Sequence, residues 1–337
     1  MLSFLILLAL LGVGGLVRVP YVALGPGPTY DTLGKVEGEP VVEVDGTKTY
    51  PTAGQLRMTT VSITEDVTLF GALGLWVSGR YALAPREEYI QPGQTEEDLE
   101  KENTAMFQDS QSSAETAALR LLDKPVKVIA QEITRGAPAD NVIAPGDTLL
   151  SVNGTEIKVQ EDVRQALTGT RPGQAVSVTF AHEDSAPQTK EITLGKASDY
   201  GSDDREEGFL GLAPVDRAAV DFTTTIKLEH VGGPSAGLMF ALAIVDRLTP
   251  GKLQNGEQVA GTGQIDVKGN VYPIGGIEFK LVAAREAGAT IFLVPEENCA
   301  EAKADVPDGL RLVKVRTLAD ARESLEGLAK HQTPPGC

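Results

Sequence analysis

Two stretches near the C-terminus carry side chains whose types and spacing suit acyl transfer without imidazole or metal. The first is GGPSAGLMFALAIVDRL, Gly232 to Leu248, in which Ser235 precedes a run, Leu238 to Val245, that is apolar on every face. A helix apolar all round is a buried helix, so its N-terminus is held rigidly. A serine there stands among backbone N–H groups without helical partners, at the positive end of the helix dipole. Those donors suit the oxyanion that forms when a serine hydroxyl adds to a carbonyl. Taken alone, the motif also fits a serine that merely caps a buried helix. The second stretch is GGIEFKLVAAREAG, Gly275 to Gly288. At about 100° per residue, Ile277, Leu281, Ala284 and Gly288 share one face, Glu278, Arg285 and Glu286 lie on the other flank, and Lys280 falls among the apolar set. Such a lysine either snorkels from the edge of the core or is desolvated until it is neutral, and then it can take a serine proton.

Bringing these side chains together takes packed elements, and 337 residues allow two or three domains at roughly 100–200 residues each. Apolar residues make up 42% of the chain, as in folded proteins. Acidic residues outnumber basic ones by 47 to 30, for a net charge of −17, so no nucleic-acid partner is expected: phosphate tracking needs excess Lys and Arg. Two cysteines, Cys299 and Cys337, and three histidines, His182, His230 and His331, exclude a disulfide-dense scaffold and a Cys-rich zinc module. There is no H-E-x-x-H, and neither a metal nor another cofactor is expected.

Leu2 to Val17 carry no charge, Arg18 interrupts, and VPYVAL continues to Leu24. The uncharged run covers about 24 Å as a helix, short of a roughly 30 Å hydrocarbon core, but with the continuation and a snorkelling Arg18 it spans. Residues 1–24 are therefore expected to form an uncleaved membrane helix. A cleaved signal, which lacks here a basic start and a small-x-small site, and a buried core segment are the alternatives. The expected location is the cell membrane, single-pass, with the rest of the chain on the extracytoplasmic side. Residues 25–123 read as a junction: a turn-rich GPGPTYDTLG, strands in VVEVDG and LRMTTVSI, a solvated acidic helix or loop from Pro85 to Gln111, and a helix capped at Ser112 that ends before Pro125. Its role stays open.

In residues 124–197, KVIAQEI, DTLLSVNG, AVSVTF and KEITL alternate as strands, VQEDVRQAL is an amphipathic helix, and GAPADNVIAP holds a short helix. Asn153-Gly154-Thr155 matches a glycosylation acceptor, but a hairpin turn at Asn153-Gly154 accounts for it. The segment resembles a PDZ domain, with GDTLLSVNGTEI matching that family's signature. The resemblance implies a β-rich domain with two helices that captures extended polypeptide ends by strand addition. No G-L-G-F loop precedes the segment, so its carboxylate nest is not placed.

The runs HVGGPSAGLMFALAIVDRL and GTGQIDVKGNVYPIGGIEFKLVAAREAGATIFLVPEEN resemble the proteolytic domain of Lon proteases, giving a domain over 205–330. The resemblance implies an α+β domain related to the ribosomal S5 domain 2-like fold and a serine-type endopeptidase. It makes Ser235 the nucleophile, Lys280 the general base and Thr262 the hydroxyl that orients the lysine. Gly232 stands where the family has a charged residue, which leaves the role of His230 open. Homo-oligomeric rings are common in that family. With anchor and PDZ domain, the arrangement looks like the membrane-anchored PDZ–Lon-like proteins of bacteria. The chain has no G-x-x-x-x-G-K-[ST], so no ATP is expected, and the substrates would be flexible or unfolded polypeptides held by the PDZ groove. Gly233 to Gly237 also match the G-x-S-x-G elbow of α/β-hydrolases, whose acid and histidine follow the serine; the downstream histidine here, His331, sits in the tail HQTPPGC, so that fold is set aside. The competing reading is a catalytically silent, membrane-tethered PDZ peptide-binding or chaperone-like protein, and a third is self-cleavage that frees the ectodomain.

Overall fold

The computed structural model describes residues 4, 12, 14–90, 93–182, 185–202, 205–228 and 231–337. The chain divides into two units, one made of Met1–Leu121 with Phe222–Cys337 and the other of Leu122–Asp221.

The first unit is built on a mixed sheet whose strands run in the order Arg311–Val315, Ile291–Pro295, Gln258–Gly261, Gln55–Thr64, Tyr21–Asp31 and Ala82–Pro85. The first four pair in parallel and the remaining pairings are antiparallel. IFLVP of the second strand is buried along its whole length, as a parallel strand covered on both faces must be. Gly237–Leu248, the serine helix, is buried at every position from Gly237 to Asp246. Ile277–Glu286, the lysine helix, joins two neighbouring parallel strands and buries Ile277, Leu281 and Ala284.

Residues 25–123 are not a junction. They supply the strands Gln55–Thr64 and Ala82–Pro85 and most of Tyr21–Asp31, and Val42–Asp45 pairs with Thr223–Ile226. The expected helix start at Ser112 is also corrected: Glu96–Leu121 is one helix of 26 residues. Phe107, Ser110, Ala114, Ala117 and Ala118 are buried, a helical stripe diluted by small residues. Phe107 meets Phe240 of the serine helix edge to face, ring centroids 5.7 Å apart.

The expected membrane helix over 1–24 is overturned at its C-terminal end. Tyr21 opens a strand, and Val22, Ala23 and Leu24 are buried in the sheet core, where β-branched and small apolar residues pack on a pleated surface. Residues 1–3, 5–11 and 13 of that segment lie outside the described residues. Among the described residues no helix is long and apolar enough to cross a membrane.

The second unit is an antiparallel sheet in the order Gln188–Thr193, Ala175–Ala181, Thr148–Val152, Val126–Ile133 and Leu212–Ala218. Val128, Leu149, Val178, Phe180 and Ile192 form its core. The last strand lies beyond the expected boundary at 197 because it covers the edge that Val126–Ile133 would otherwise leave open. Residues 205–221 therefore belong to this unit and not to the proteolytic segment. Asn153 and Gly154 both have positive φ, 49° and 79°, as a two-residue hairpin turn of the primed type requires. The short helix expected in GAPADNVIAP is a run of turns that buries Ala139 and Ile143, so among the described residues the unit has one α-helix, Gln160–Ala166, and a 3-10 turn at Ala197–Tyr200.

Candidate active site

Ser235 lies two residues before the serine helix, in a turn fixed from several sides. Gly263 N–H donates to the Ser235 carbonyl at 2.8 Å and the Thr262 hydroxyl donates to the same oxygen at 3.0 Å. The long helix holds the residues just upstream: Gly233 N–H donates to the Asn103 carbonyl at 3.1 Å, and Ser110 Oγ donates to the Pro234 carbonyl at 3.0 Å. A Cβ at Gly237 would stand 2.7 Å from Ile265 Cγ2 and 2.9 Å from Ser110 Oγ, so only glycine lets the serine helix begin this close to its neighbours. The Leu238 N–H is taken by the Gly263 carbonyl at 3.1 Å.

The lysine helix leaves a turn at Gly276, whose φ of +67° suits glycine. Asn298 fixes the approach to that turn: its Oδ1 accepts Ile274 N–H at 2.9 Å and its Nδ2 donates to the Ile274 carbonyl at 2.8 Å. Lys280 is 2% exposed. Its Nζ stands 2.9 Å from Ser235 Oγ, 3.0 Å from Thr262 Oγ1 and 3.2 Å from the Thr59 carbonyl oxygen. Desolvation pushes the ammonium down from 10.5 to about 8.

The three contacts direct the protons of a neutral amine. A carbonyl oxygen only accepts, so Thr59 takes one N–H. Thr262 has committed its own hydrogen to the Ser235 carbonyl, so its oxygen accepts the second N–H. As the ammonium, Lys280 donates its third N–H to Ser235 Oγ at 2.9 Å; with that proton lost, its lone pair is left for the Ser235 hydroxyl. Beside the pair lies a cavity of about 320 Å³ lined by Tyr30, Met58, Val61, Val231 and Gly232. Among the described residues no group of His, Cys, Asp and Glu is placed to hold a metal ion.

The three residues singled out in the sequence, Ser235, Thr262 and Lys280, are thus in one cluster. His230 lies outside the described residues. His182 belongs to the second unit, where its Nδ1 is 2.7 Å from Asp147 Oδ1. Thr59, Asn103, Ser110 and Asn298 escaped sequence reasoning. Thr59 acts through its carbonyl, which every residue has, and Ser110 looks like one more polar residue of a charged helix.

The second unit has its own concave surface, a groove of about 690 Å³ between Gln160–Ala166 and Leu212–Ala218. Val163, Leu167 and Leu212 give it apolar walls, and its rim carries two arginines, Arg164 and Arg205, and two glutamates, Glu161 and Glu207. Gly208-Phe209-Leu210-Gly211 leads directly into the strand, with Gly211 at φ +82° and too close to Ala137 for any side chain.

Residues 230–326 match the model of the Lon protease (S16) C-terminal proteolytic domain, and residues 97–194 match the PDZ domain model. The PDZ match takes in most of the long helix of the first unit and omits the closing strand of the second. The Lon protease of Campylobacter jejuni is 38% identical over 95 residues, 27% of this chain and 12% of that protein. The Lon protease of Rhizobium meliloti is 46% identical over 79 residues, 23% of this chain and 9% of that protein. The chain thus spans about a tenth of the length of these curated relatives. The PDZ domain of an SdrC-like protein from Listeria monocytogenes is 19% identical, covering 26% of this chain and 87% of that one with a TM-score of 0.23. The proteolytic-domain match and the Lon relatives support a serine-type endopeptidase.

Proposed function

We propose that the chain is an ATP-independent serine endopeptidase that works through a Ser235–Lys280 dyad on flexible polypeptides. The observation that carries this reading is the 2.9 Å approach of a buried amine to a serine hydroxyl, with the amine's two other contacts both able to accept its hydrogens. Neutral Lys280 takes the Ser235 proton as Oγ adds to the scissile carbonyl. The oxyanion faces the N–H groups of the turn Ser235 to Gly237. The lysine ammonium then gives its proton to the leaving amine, the C–N bond breaks, and an acyl-serine remains. Water adds to the acyl carbon as Lys280 takes its proton, the bond from that carbon to Oγ breaks, the lysine ammonium returns the proton to Oγ, and the carboxylic acid leaves. Thr262 and Thr59 keep the amine aimed throughout.

Capture of the substrate belongs to the second unit in this reading. A polypeptide end adds as a strand beside Leu212–Ala218, with its carboxylate at the loop Gly208 to Gly211 and its last apolar side chain against Leu167. Homo-oligomeric rings are carried as a proposal by resemblance alone. The extracytoplasmic side of a membrane is the proposed location, for two reasons. Leu2 to Val17 are uncharged, and Cys299 and Cys337 form a disulfide, a bond that persists in oxidising compartments.

The experiment is cleavage of an unstructured peptide by the purified full chain without nucleotide. Wild type is expected to cleave and Ser235→Ala to lose the activity. Equal cleavage by the variant would refute the assignment, and a wild type that binds the peptide without cleaving it would favour the silent binding module.

A further inference from the structure

Leu69–Val77 is a helix with two different faces, and among the described residues only one of them is packed on the protein. The inner face, through Ala72 and Leu75, meets Val19, Ala23, Tyr81 and Leu83. The outer face carries Leu69, Phe70, Leu73, Trp76 and Val77, at positions i, i+1, i+4, i+7 and i+8 of one stripe. All five are exposed, Trp76 at 61% and Val77 at 75%. No charged residue occurs from Val67 to Gly79, and Thr68 caps the helix by accepting the Gly71 N–H at 3.2 Å. Two glycines inside so short a helix give it little intrinsic stability, so its conformation depends on contacts with its surroundings.

The helix is also joined to the uncharged N-terminal run. Leu69 N–H donates to the Val17 carbonyl at 3.0 Å, Val19 N–H donates to the Val67 carbonyl at 3.0 Å, and the Phe70 ring lies against Gly14. Leu16 and Val17 are exposed beside it, so the end of the apolar run and the outer stripe make one continuous apolar surface. Ion pairs stand at its borders, Arg18 with Asp66 at 2.9 Å at one end of the helix and Arg80 with Glu286 at the other. An apolar stripe with an exposed tryptophan, continuous with the uncharged N-terminal run, matches the interfacial zone of a bilayer, where indole rings settle.

We infer that the outer face of Leu69–Val77 lies in the lipid headgroup and upper acyl region, a second membrane contact that docks the folded first unit flat on the surface from which the N-terminal run departs. It rests on the proposed membrane attachment but concerns a different segment. Trp76 is the chain's single tryptophan, so its emission reports on this helix alone.

The test reconstitutes the full chain into phosphatidylcholine–phosphatidylglycerol vesicles and measures flotation and Trp76 fluorescence, with lipids brominated either near the headgroup or near the acyl terminus. The expected result is flotation, a blue-shifted emission and stronger quenching by the shallow bromolipid. Phe70→Ser with Leu73→Ser is expected to remove most of that quenching while cleavage of a soluble peptide is kept. A chain that floats with Trp76 unquenched by bromolipid and open to iodide overturns the docking face and leaves the attachment standing. A blue shift that ignores bromolipid, with cross-links through this helix, also overturns it, in favour of cover by a second copy or by the N-terminal run. A chain that does not float overturns both the docking face and the attachment.

Discussion

Lys280 Nζ lies 3.2 Å from the carbonyl oxygen of Thr59, 221 positions upstream, so the amine beside Ser235 is oriented by a strand from the opposite end of the sequence. Thr59 in turn donates through Oγ1 to the Gly261 carbonyl at 3.3 Å, one residue before Thr262. Two neighbouring parallel strands therefore hold the Lys280 amine.

Cleavage should depend on a single group that must be neutral. An ammonium has no lone pair, so below about 8 the acylation rate is expected to rise roughly tenfold per pH unit, and above it to level off. Stopped-flow acylation between pH 6 and 9.5 is the measurement. Lys280→Arg, which stays protonated, is expected to be inactive across that range, and a flat wild-type profile would speak against a titrating amine.

Thr262→Val removes the acceptor of one amine hydrogen and the donor to the Ser235 carbonyl together. With about 0.5–1.5 kcal/mol for each of the two hydrogen bonds, kcat is expected to fall about 10- to 100-fold with KM little changed. Thr262→Ser should restore most of the rate. Loss of rate in both variants alike would mean that the methyl group, not the hydroxyl, matters.

The same burial that tunes Lys280 has a cost in stability, with a definite sign. Below about 8 the lysine is charged in the folded and unfolded chains alike, and the folded chain carries the full penalty of the buried charge. Between about 8 and 10.5 the folded chain has lost the proton and the unfolded chain has not, so stability rises with pH in that window. Lys280→Met has no such titration. Its stability advantage over wild type is expected to shrink by about 3 kcal/mol between pH 7 and 10.5, at 1.36 kcal/mol per pKa unit. Urea unfolding followed by Trp76 reads this, and a pH-independent gap would contradict it.

How much of this was legible in the sequence depended on whether a feature is carried by side-chain pattern or by chain crossing. The serine helix announced itself because Leu238 to Val245 leave no polar face, and Lys280 stood out as a cation in an apolar stripe. The second unit was legible through alternation and the Asn153-Gly154 turn, but its last strand was not, since Leu212–Ala218 joins the sheet at the end of a long excursion. Residues 25–123 read as a junction because two of their strands pair with distant ones, Gln55–Thr64 with Gln258–Gly261 and Val42–Asp45 with Thr223–Ile226. The run Val19 to Leu24 has the same composition whether it enters lipid or a sheet core, and Leu24 is paired with Ile63 in the latter.

Cys299 and Cys337 close a loop of 38 positions and pin the tail to the face of the first unit that carries Asn298. Chain entropy puts the bond at about 4 kcal/mol, and engineered and native cases commonly give 2–4. Cys299→Ser is expected to lose about that much in the unfolding of the first unit. Chain isolated without reductant should take up no alkylating reagent until it is reduced; immediate alkylation of both thiols would contradict the oxidising location.

The most direct measurement is the rate at which an active-site-directed acylating probe labels Ser235 above pH 8, compared between wild type and Lys280→Ala. Wild type is expected to be modified at Ser235 alone, and Lys280→Ala to react at least about a thousandfold more slowly, the scale on which paired catalytic groups fail together. Labelling of Lys280→Ala at the wild-type rate, or a wild type that takes no label at Ser235, would contradict a Ser235–Lys280 dyad.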